Sequence, residues 1–357
     1  MAILYFLIVF SVLVFAHEFG HFIVAKKQGI TVHEFGFGFP PRIFSRMWRG
    51  TLYSLNALPL GGFVRIKGEE GEDADAPDSF MRRGVLSRAS VIAAGVVCNI
   101  LLGWLLLTIG FLSGVPQVLD QTVPEQYIRS RSIVIESLLP HAPATEADVR
   151  VGDAITAIDG TPVARITDLQ SALASRDGKE TVVTLARRTE IVNRTLTPRY
   201  VDEAKRVGIG VGLDEIGTVR YPFFAALWQG VRATGFILKE TVVAFAGVVR
   251  DLIVLQKVSV DVSGPIGIAV LTGKVARQGF IHLLQFAAIL SLNLAVVNVL
   301  PIPALDGGRL FFLAIETIRR KALAKKTEAL LHRAGFILLL LLVALVTYRD
   351  VLKFFIR

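Results

Sequence analysis

The segment His17-Glu18-Phe19-Gly20-His21 carries the spacing H-E-x-x-H. On a helix, residues four apart lie one turn above each other on the same face, so both imidazoles can reach one point. A zinc ion suits that point, with the intervening glutamate able to act as general base toward water. A second reading is two histidines packed in a helix interface, with Glu18 paired to a lysine. The surroundings weigh against it, because the three residues fall within the apolar run Ala2–Ala25. An unpartnered ionisable group in such a run costs on the order of a few kcal/mol or more. Two histidines leave a catalytic zinc short of one protein ligand. The strongest remaining candidate is Asp306, in Asn298-Val299-Leu300-Pro301-Ile302-Pro303-Ala304-Leu305-Asp306-Gly307-Gly308. Pro301 and Pro303 end the apolar run before it and leave irregular backbone, which survives at membrane depth only in protein or beside a wet cavity. A turn in which Asp306 merely caps the next helix is the alternative.

The elements that must position these residues are apolar helices. Four stretches stand out: Ala2–Ala25, about Ser90–Val115, about Phe280–Pro303, and Ala334–Thr347 with its flanks. The first three reach the roughly 20 residues that cross a bilayer. The fourth does so only if it takes in Leu330-Leu331 or extends to Leu352. The first has no basic leader and no small-residue cleavage site, so it does not read as a signal peptide. Lys26, Lys27, Arg42, Arg46 and Arg49 follow the first run, Arg82, Arg83 and Arg88 precede the second, and Arg309 and Arg319–Lys326 separate the last two. Positive-inside charge then places the N-terminus outside and these loops in the cytoplasm. His21 lies only about 7 Å of helix rise before Lys26, and Asp306 lies just before Arg309. The three candidate ligands are thus expected on the same side at similar depth, an agreement not used in assigning the spans. Phe223–Leu255 is apolar but interrupted by charges, with Leu227, Val231, Leu238, Val242, Phe245, Val249 and Leu252 at helical spacing. It predicts one or two amphipathic helices on or in the membrane surface rather than a span.

Of 357 residues, 53% are hydrophobic, above the usual share for a soluble domain, and this points to membrane residence. The net charge of +9 lies in the loops between apolar runs, without the aromatic interleaving of a nucleic-acid surface, so nucleic acid is excluded as a partner. The single cysteine, Cys98, permits no intrachain disulfide and reads as a small packing residue.

H-E-F-G-H in the first span and P-x-P-x-L-D-G-G after the third resemble the site-2 protease family of intramembrane metalloproteases. The likeness is to the bacterial regulated-intramembrane-proteolysis (sigma-E regulator) type, with a PDZ domain in the periplasm. It covers nearly the whole chain. The resemblance implies zinc held by His17, His21 and Asp306, with Glu18 as base. Gly95-Val96-Val97-Cys98-Asn99 is similar to that family's G-x-x-x-N, and Asn293 and Asn298 to its asparagines ahead of the prolines. An asparagine within a span must find a partner, either as glue between helices or, as the family implies, on substrate backbone. Substrate binding is therefore expected at Asn99, Asn293, Asn298 and Gly95. Residues 28–88, with Phe35-Gly36-Phe37-Gly38 and Leu58-Pro59-Leu60-Gly61-Gly62, resemble the family's membrane-associated β-hairpin, whose edge could pair with an extended substrate. Glu69–Asp78 is acidic and turn-rich, as in a mobile loop.

Residues 126–200 read as an exported α/β module. Arg131–Leu138 and Thr181–Arg187 alternate like strands, and Ile166–Ser175 is an amphipathic helix. Between them, G-D-x-I-x-x-I-D-G at Gly152–Gly160 resembles the PDZ domains of bacterial envelope proteases, with Asp159-Gly160 as a tight turn. Such a domain could bind a peptide by strand addition or exclude substrates with bulky ectodomains. The expected protein is a polytopic α-helical membrane protein of the inner membrane, with four transmembrane helices (1–27, 89–115, 278–308, 330–352), the β-hairpin region, the inserted PDZ domain, and amphipathic helices over 221–256 on the periplasmic side. The resemblance implies hydrolysis of single-span substrates in the bilayer, such as an anti-sigma factor or remnant signal peptides. A non-cleaving zinc scaffold is the rival reading. A soluble zinc site completed by Glu34 ranks below both, and a transporter would need inverted repeats, which the sequence lacks.

Overall fold

The computed structural model describes residues 1–69, 73–120, 123–187, 190–203, 205–254, 263–320 and 325–356. In chain order the elements are α1 (Ala2–Lys27), β1 (Val32–Trp48), β2 (Thr51–Ile66), α2 (Val85–Ser113), β3 (Val115–Val118), β4 (Ile128–Leu138), α3 (Pro143–Glu146), β5 (Ala154–Ile158), β6 (Thr161–Pro162), α4 (Ile166–Ala174), β7 (Thr181–Arg187), β8 (Glu190–Leu196), β9 (Arg199–Val201), β10 (Arg206–Gly208) and β11 (Val211–Val219). The helices α5 (Phe223–Val254), α6 (Pro265–Gln278), α7 (Phe280–Val299), α8 (Asp306–Arg319) and α9 (Lys325–Val351) follow. The chain forms two compact units: Met1–Gly110 with Leu227–Arg357, and Phe111–Ala226 between them.

In the first unit, four helices among the described residues are long and apolar enough to cross a membrane: Ala2–Lys27, Val85–Ser113, Phe280–Val299 and Leu330–Phe354. The fourth reaches that length because its helix includes Leu330-Leu331 and continues past Leu345 to a π-helical turn at Leu352–Ile356. The first ends in Lys26 and Lys27, cations at the negative end of the helix dipole. The hairpin of β1 and β2 turns at Arg49-Gly50, both at positive φ, the geometry that matches strand twist. It lies on α1 through rings, with Phe35 5.2 Å from Phe15 and 4.7 Å from Phe22. Residues 70–72 of the acidic stretch and 321–324 of the basic loop lie outside the described residues. The segment from Phe223 is a single helix of 32 residues, and it is not among the four apolar enough to span. Helix α6 has no counterpart in the sequence expectations. Its start is marked only by Gly264-Pro265, and its amino end is satisfied from far along the chain, by the Asp350 carboxylate accepting from the N–H groups of Gly264 and Gly267 at 3.2 and 2.7 Å.

The second unit contains an antiparallel sheet in the order β3-β11-β4-β5-β7-β8, with β6 paired to β5. Asp159-Gly160 turns β5 into β6 at positive φ. Ile133 and Ile135, Val183 and Leu185 point inward from alternate strand positions, Ile155 and Ile158 do so across a register shift in β5, and together with Leu169 and Leu173 of α4 they form the core. The unit is wider than 126–200, because β11 and β3 join the same sheet and only their pairing, not their composition, reveals it. Asp153 is buried at 2% exposure and accepts from Arg187 Nε and a terminal guanidinium nitrogen at 2.8 and 2.7 Å, and from the Arg150 N–H at 2.9 Å. Asp153→Ala leaves the Arg150 N–H without its acceptor and Arg187 with Asp148 alone, and is expected to destabilise this unit, read as faster hydrogen exchange in β5 and β7 of the whole protein. The nearby Asp148 carboxyl is lowered to about 2 by hydrogen bonds from Arg150 and Arg194. A lowered carboxyl favours the fold above its unfolded value of about 4 and loses that contribution as pH falls through its folded value. Exchange protection in this unit is therefore expected to hold from pH 7 to about 5 and to decline between about 4 and 2.

Candidate metal centre

His17 and His21 project from one face of α1, ring centroids 4.8 Å apart and planes nearly perpendicular. Their Nε2 atoms stand 3.2 Å apart. The Asp306 Oδ2 atom completes a triangle, 3.0 Å from His17 Nε2 and 3.3 Å from His21 Nε2. Both histidines are buried and Asp306 is largely so. A tetrahedral zinc with arms of about 2.0 Å has ligand–ligand edges of about 3.3 Å, so these three atoms already sit close to the positions of three tetrahedral ligands. The set His₂Asp leaves a fourth position for water or substrate. It is the one group of three or more potential ligands among the described residues. The capping alternative for Asp306 does not hold: it is the first residue of α8, and the helix has no side-chain cap.

The surroundings fix the rings. His21 Nδ1–H donates to the Val91 carbonyl on α2 at 2.8 Å, which leaves Nε2 as the lone pair facing the centre. The Asn99 amide lies 3.3 Å from His17 Nδ1, and the Asn298 amide 3.4 Å from His17 Nε2. Gly95 lies between Val91 and Asn99 on α2, beneath both rings: a Cβ there would stand 2.7 Å from a carbon of each imidazole and collide with His21 Nε2. Glu18 is half-buried and within electrostatic range of His21, His17 and Asp306. Asn293 is turned elsewhere, accepting from the Thr241 hydroxyl of α5 at 2.8 Å. Of the eight residues singled out in the sequence, seven therefore gather here and Asn293 does not.

Asp306 reaches the histidines because the chain reverses sharply after α7. Pro301 and Pro303 stop the helix, and α8 begins so close to its end that a Cβ on Gly307 would collide with the backbone of Val299 and Leu300. Ala304 takes a positive φ of 82° in this turn. Its N–H donates to His332 Nδ1 of α9 at 3.0 Å. Arg309, one turn into α8, pairs with Glu69, and Glu316 pairs with Arg88 of α2 at 2.9 Å. The Val91 carbonyl and His332 were missed in the sequence. The first is a backbone group and leaves no sequence signal, and the second, a histidine at the start of an apolar helix, was a signal left unread.

The sequence profile of Peptidase family M50 matches residues 5–342. The chain belongs to this family. Among its M50 relatives, the zinc metalloprotease RasP of Geobacillus kaustophilus is 32% identical over 99% of this chain and 98% of its own length. A putative zinc metalloprotease of Clostridium perfringens is 33% identical over 99% of both chains, and the regulator of sigma-W protease RasP of Bacillus subtilis is 30% identical over 98% of both. Among solved structures, the PDZ domain of an SdrC-like protein from Listeria monocytogenes matches 23% of this chain and 85% of its own at 21% identity, with a TM-score of 0.21. The solution structure of a Geobacillus thermodenitrificans protein matches 23% of this chain and 94% of its own at 26% identity, also with a TM-score of 0.21.

The M50 centre has no space under its imidazoles. Gly95→Val is therefore expected to push the two rings apart and lower zinc affinity by roughly 10- to 100-fold, measured by competition against a chelator with the purified protein.

Proposed function

We propose that this chain is an intramembrane zinc metalloprotease in which His17, His21 and Asp306 hold the metal and Glu18 is the general base. The observation that carries the reading is the convergence of three lone-pair atoms, 3.0 to 3.3 Å apart, from residues up to 289 positions distant in the chain. Membership of a peptidase family and full-length similarity to named zinc metalloproteases support it. When bound, zinc supplies a Lewis acid that activates water and polarises a carbonyl. Glu18 takes the proton of the attacking water at its carboxylate and hands it to the departing amine nitrogen. Its place on the same helix, between the two histidines, keeps it beside the reacting atoms. Enclosure by α1, α2, α7 and α8 limits water, which strengthens electrostatic interactions there.

The substrates are transmembrane proteins, single-span anti-sigma factors or remnant signal peptides, cut in or near their helices. A helical substrate hides its peptide bonds, so it must unwind locally before attack. Glu34–Phe37 of β1 pair with β2 on both sides, so the outer edge along Arg42–Trp48 is the one that suits an extended segment, which would add there as a further strand. The chain sits in the bacterial inner membrane with the centre toward the cytoplasm, a sidedness supported by the basic loops flanking the spans. The Phe111–Ala226 unit then lies in the periplasm as a PDZ domain and works first as a filter against bulky ectodomains, with peptide binding as its second role.

Cleavage of a tagged single-span substrate by wild-type and Glu18→Gln protein tests the reading. The variant is expected to keep its zinc and lose about 10²- to 10⁴-fold in rate, whereas equal cutting by both removes Glu18 from the mechanism. Failure of both to cut any of several substrates, with zinc retained, would favour a non-cleaving scaffold.

A further inference from the structure

We infer that Asn99 is a positioning residue of the metal centre: its side-chain carbonyl holds the proton of His17 on Nδ1 and so presents Nε2 to zinc. The inference rests on the zinc reading above. His17 Nε2 faces Asp306 Oδ2 at 3.0 Å and His21 Nε2 at 3.2 Å, so Nε2 is the ligating atom if these three residues share a cation. A neutral imidazole that ligates through Nε2 carries its proton on Nδ1, and whatever stands opposite Nδ1 must accept it. Asn99 stands there, 3.3 Å away, fully buried on α2. Its amide places Nδ2 toward the ring and leaves Oδ1 buried with no hydrogen-bond partner. The two ends of an amide differ by a half-turn about one bond and are assigned from the partners they meet. Opposite a ligating histidine, the oxygen is the end that fits.

The arrangement repeats a pattern already present one turn along α1. His21 Nδ1–H donates to the Val91 carbonyl, and Val91, Gly95 and Asn99 are spaced four apart on one face of α2. Val91 therefore orients one imidazole, Asn99 the other, and Gly95 leaves the space both rings occupy. The order is antiparallel, the earlier histidine meeting the later residue of α2. This gives G-x-x-x-N on α2 a role distinct from substrate contact, because Asn99 has no surface to offer a peptide. The Asn298 amide lies within 3.5 Å of both ring nitrogens of His17 and so does not select between them.

The test uses the full-length protein in detergent, with zinc affinity by chelator competition and metal-free thermal stability as readouts. Asn99→Ala is expected to weaken zinc by about 10- to 100-fold with little change in metal-free stability. Asn99→Asp keeps an acceptor but has no amide donor, and it is expected to bind zinc within about threefold of wild type. Wild-type zinc affinity in Asn99→Ala would overturn the assignment, and so would equal weakness of the Asp and Ala variants. A wild-type protein that takes up no zinc sinks the metalloprotease reading itself, an outcome separable from either of these.

Discussion

The close approach of α1 to α2 is the constraint on which the centre depends. At Gly20 a Cβ would stand 2.6 Å from the Ala94 carbonyl carbon and at Gly95 one would strike the imidazoles, so the helices meet backbone to side chain with nothing between. Small residues at such a contact are how helices without a hydrophobic driving force gain packing energy. Here the same contact brings the α2 backbone within hydrogen-bond reach of an imidazole nitrogen. A wider spacing would lose the Val91 carbonyl as an acceptor and leave the His21 tautomer unset. Packing and ligand orientation are thus one feature rather than two.

The third candidate ligand, Asp306, comes from a different device. α7 is mostly apolar, its few polar residues carry no carboxylate, and one in its middle would bring a large desolvation cost. Two prolines end it, and the chain turns back within a few residues into α8, which starts at Asp306. Broken backbone of this kind leaves N–H and C=O groups without helical partners, which lipid would penalise. The structure supplies partners locally: the Leu305 N–H donates to Ile302, Gly308 and Arg309 donate to Leu305, and Ala304 donates to His332. The ion pairs of Arg309 with Glu69 and Glu316 with Arg88 then tie α8 to the hairpin loop and α2. They sit at the basic end of the helices, where water can reach the outer sides of the pairs.

The four long apolar helices, the β1–β2 region and the grouping of His17, His21 and Asp306 were legible in the sequence because each rests on a local pattern or a costly residue in an unlikely place. His17, Glu18, His21 and Asp306 stand out against apolar surroundings. Strands such as Thr181–Arg187 follow their alternation to the residue. What stayed hidden depends on pairing across distance. β11 belongs to the sheet through β4, some 80 residues earlier. α6 is short and weakly patterned and is held by Asp350, so beyond Gly264-Pro265 at its start nothing in its own sequence marks it. The asparagines were recognisable as residues in need of partners, but only the packing of α2 and α7 shows that Asn99 and Asn298 meet His17 while Asn293 meets Thr241. Polarity in a span announces that a partner exists; it does not say which one.

The helix α9 illustrates the same rule from the other side. It is the least enclosed of the four helices long and apolar enough to cross a membrane, only 6% of its most apolar stretch being buried, and its exposed Leu338, Leu341 and Leu345 suit a lipid surface. Yet it carries two polar side chains that face inward. Asp350 takes the N–H groups at the amino end of α6, and His332 takes the Ala304 N–H in the turn before Asp306. Each meets backbone donors at or just before the start of a helix, where no helical acceptor is available. A helix with few buried residues therefore completes the hydrogen bonding at the start of α6 and in the turn before α8, and that turn carries the candidate ligand Asp306. Without an acceptor at His332, the positive φ of Ala304 would lose its side-chain contact, and the direction of Asp306 would rest on the backbone hydrogen bonds of the turn, the close approach at Gly307 and Gly308, and the ion pairs of α8.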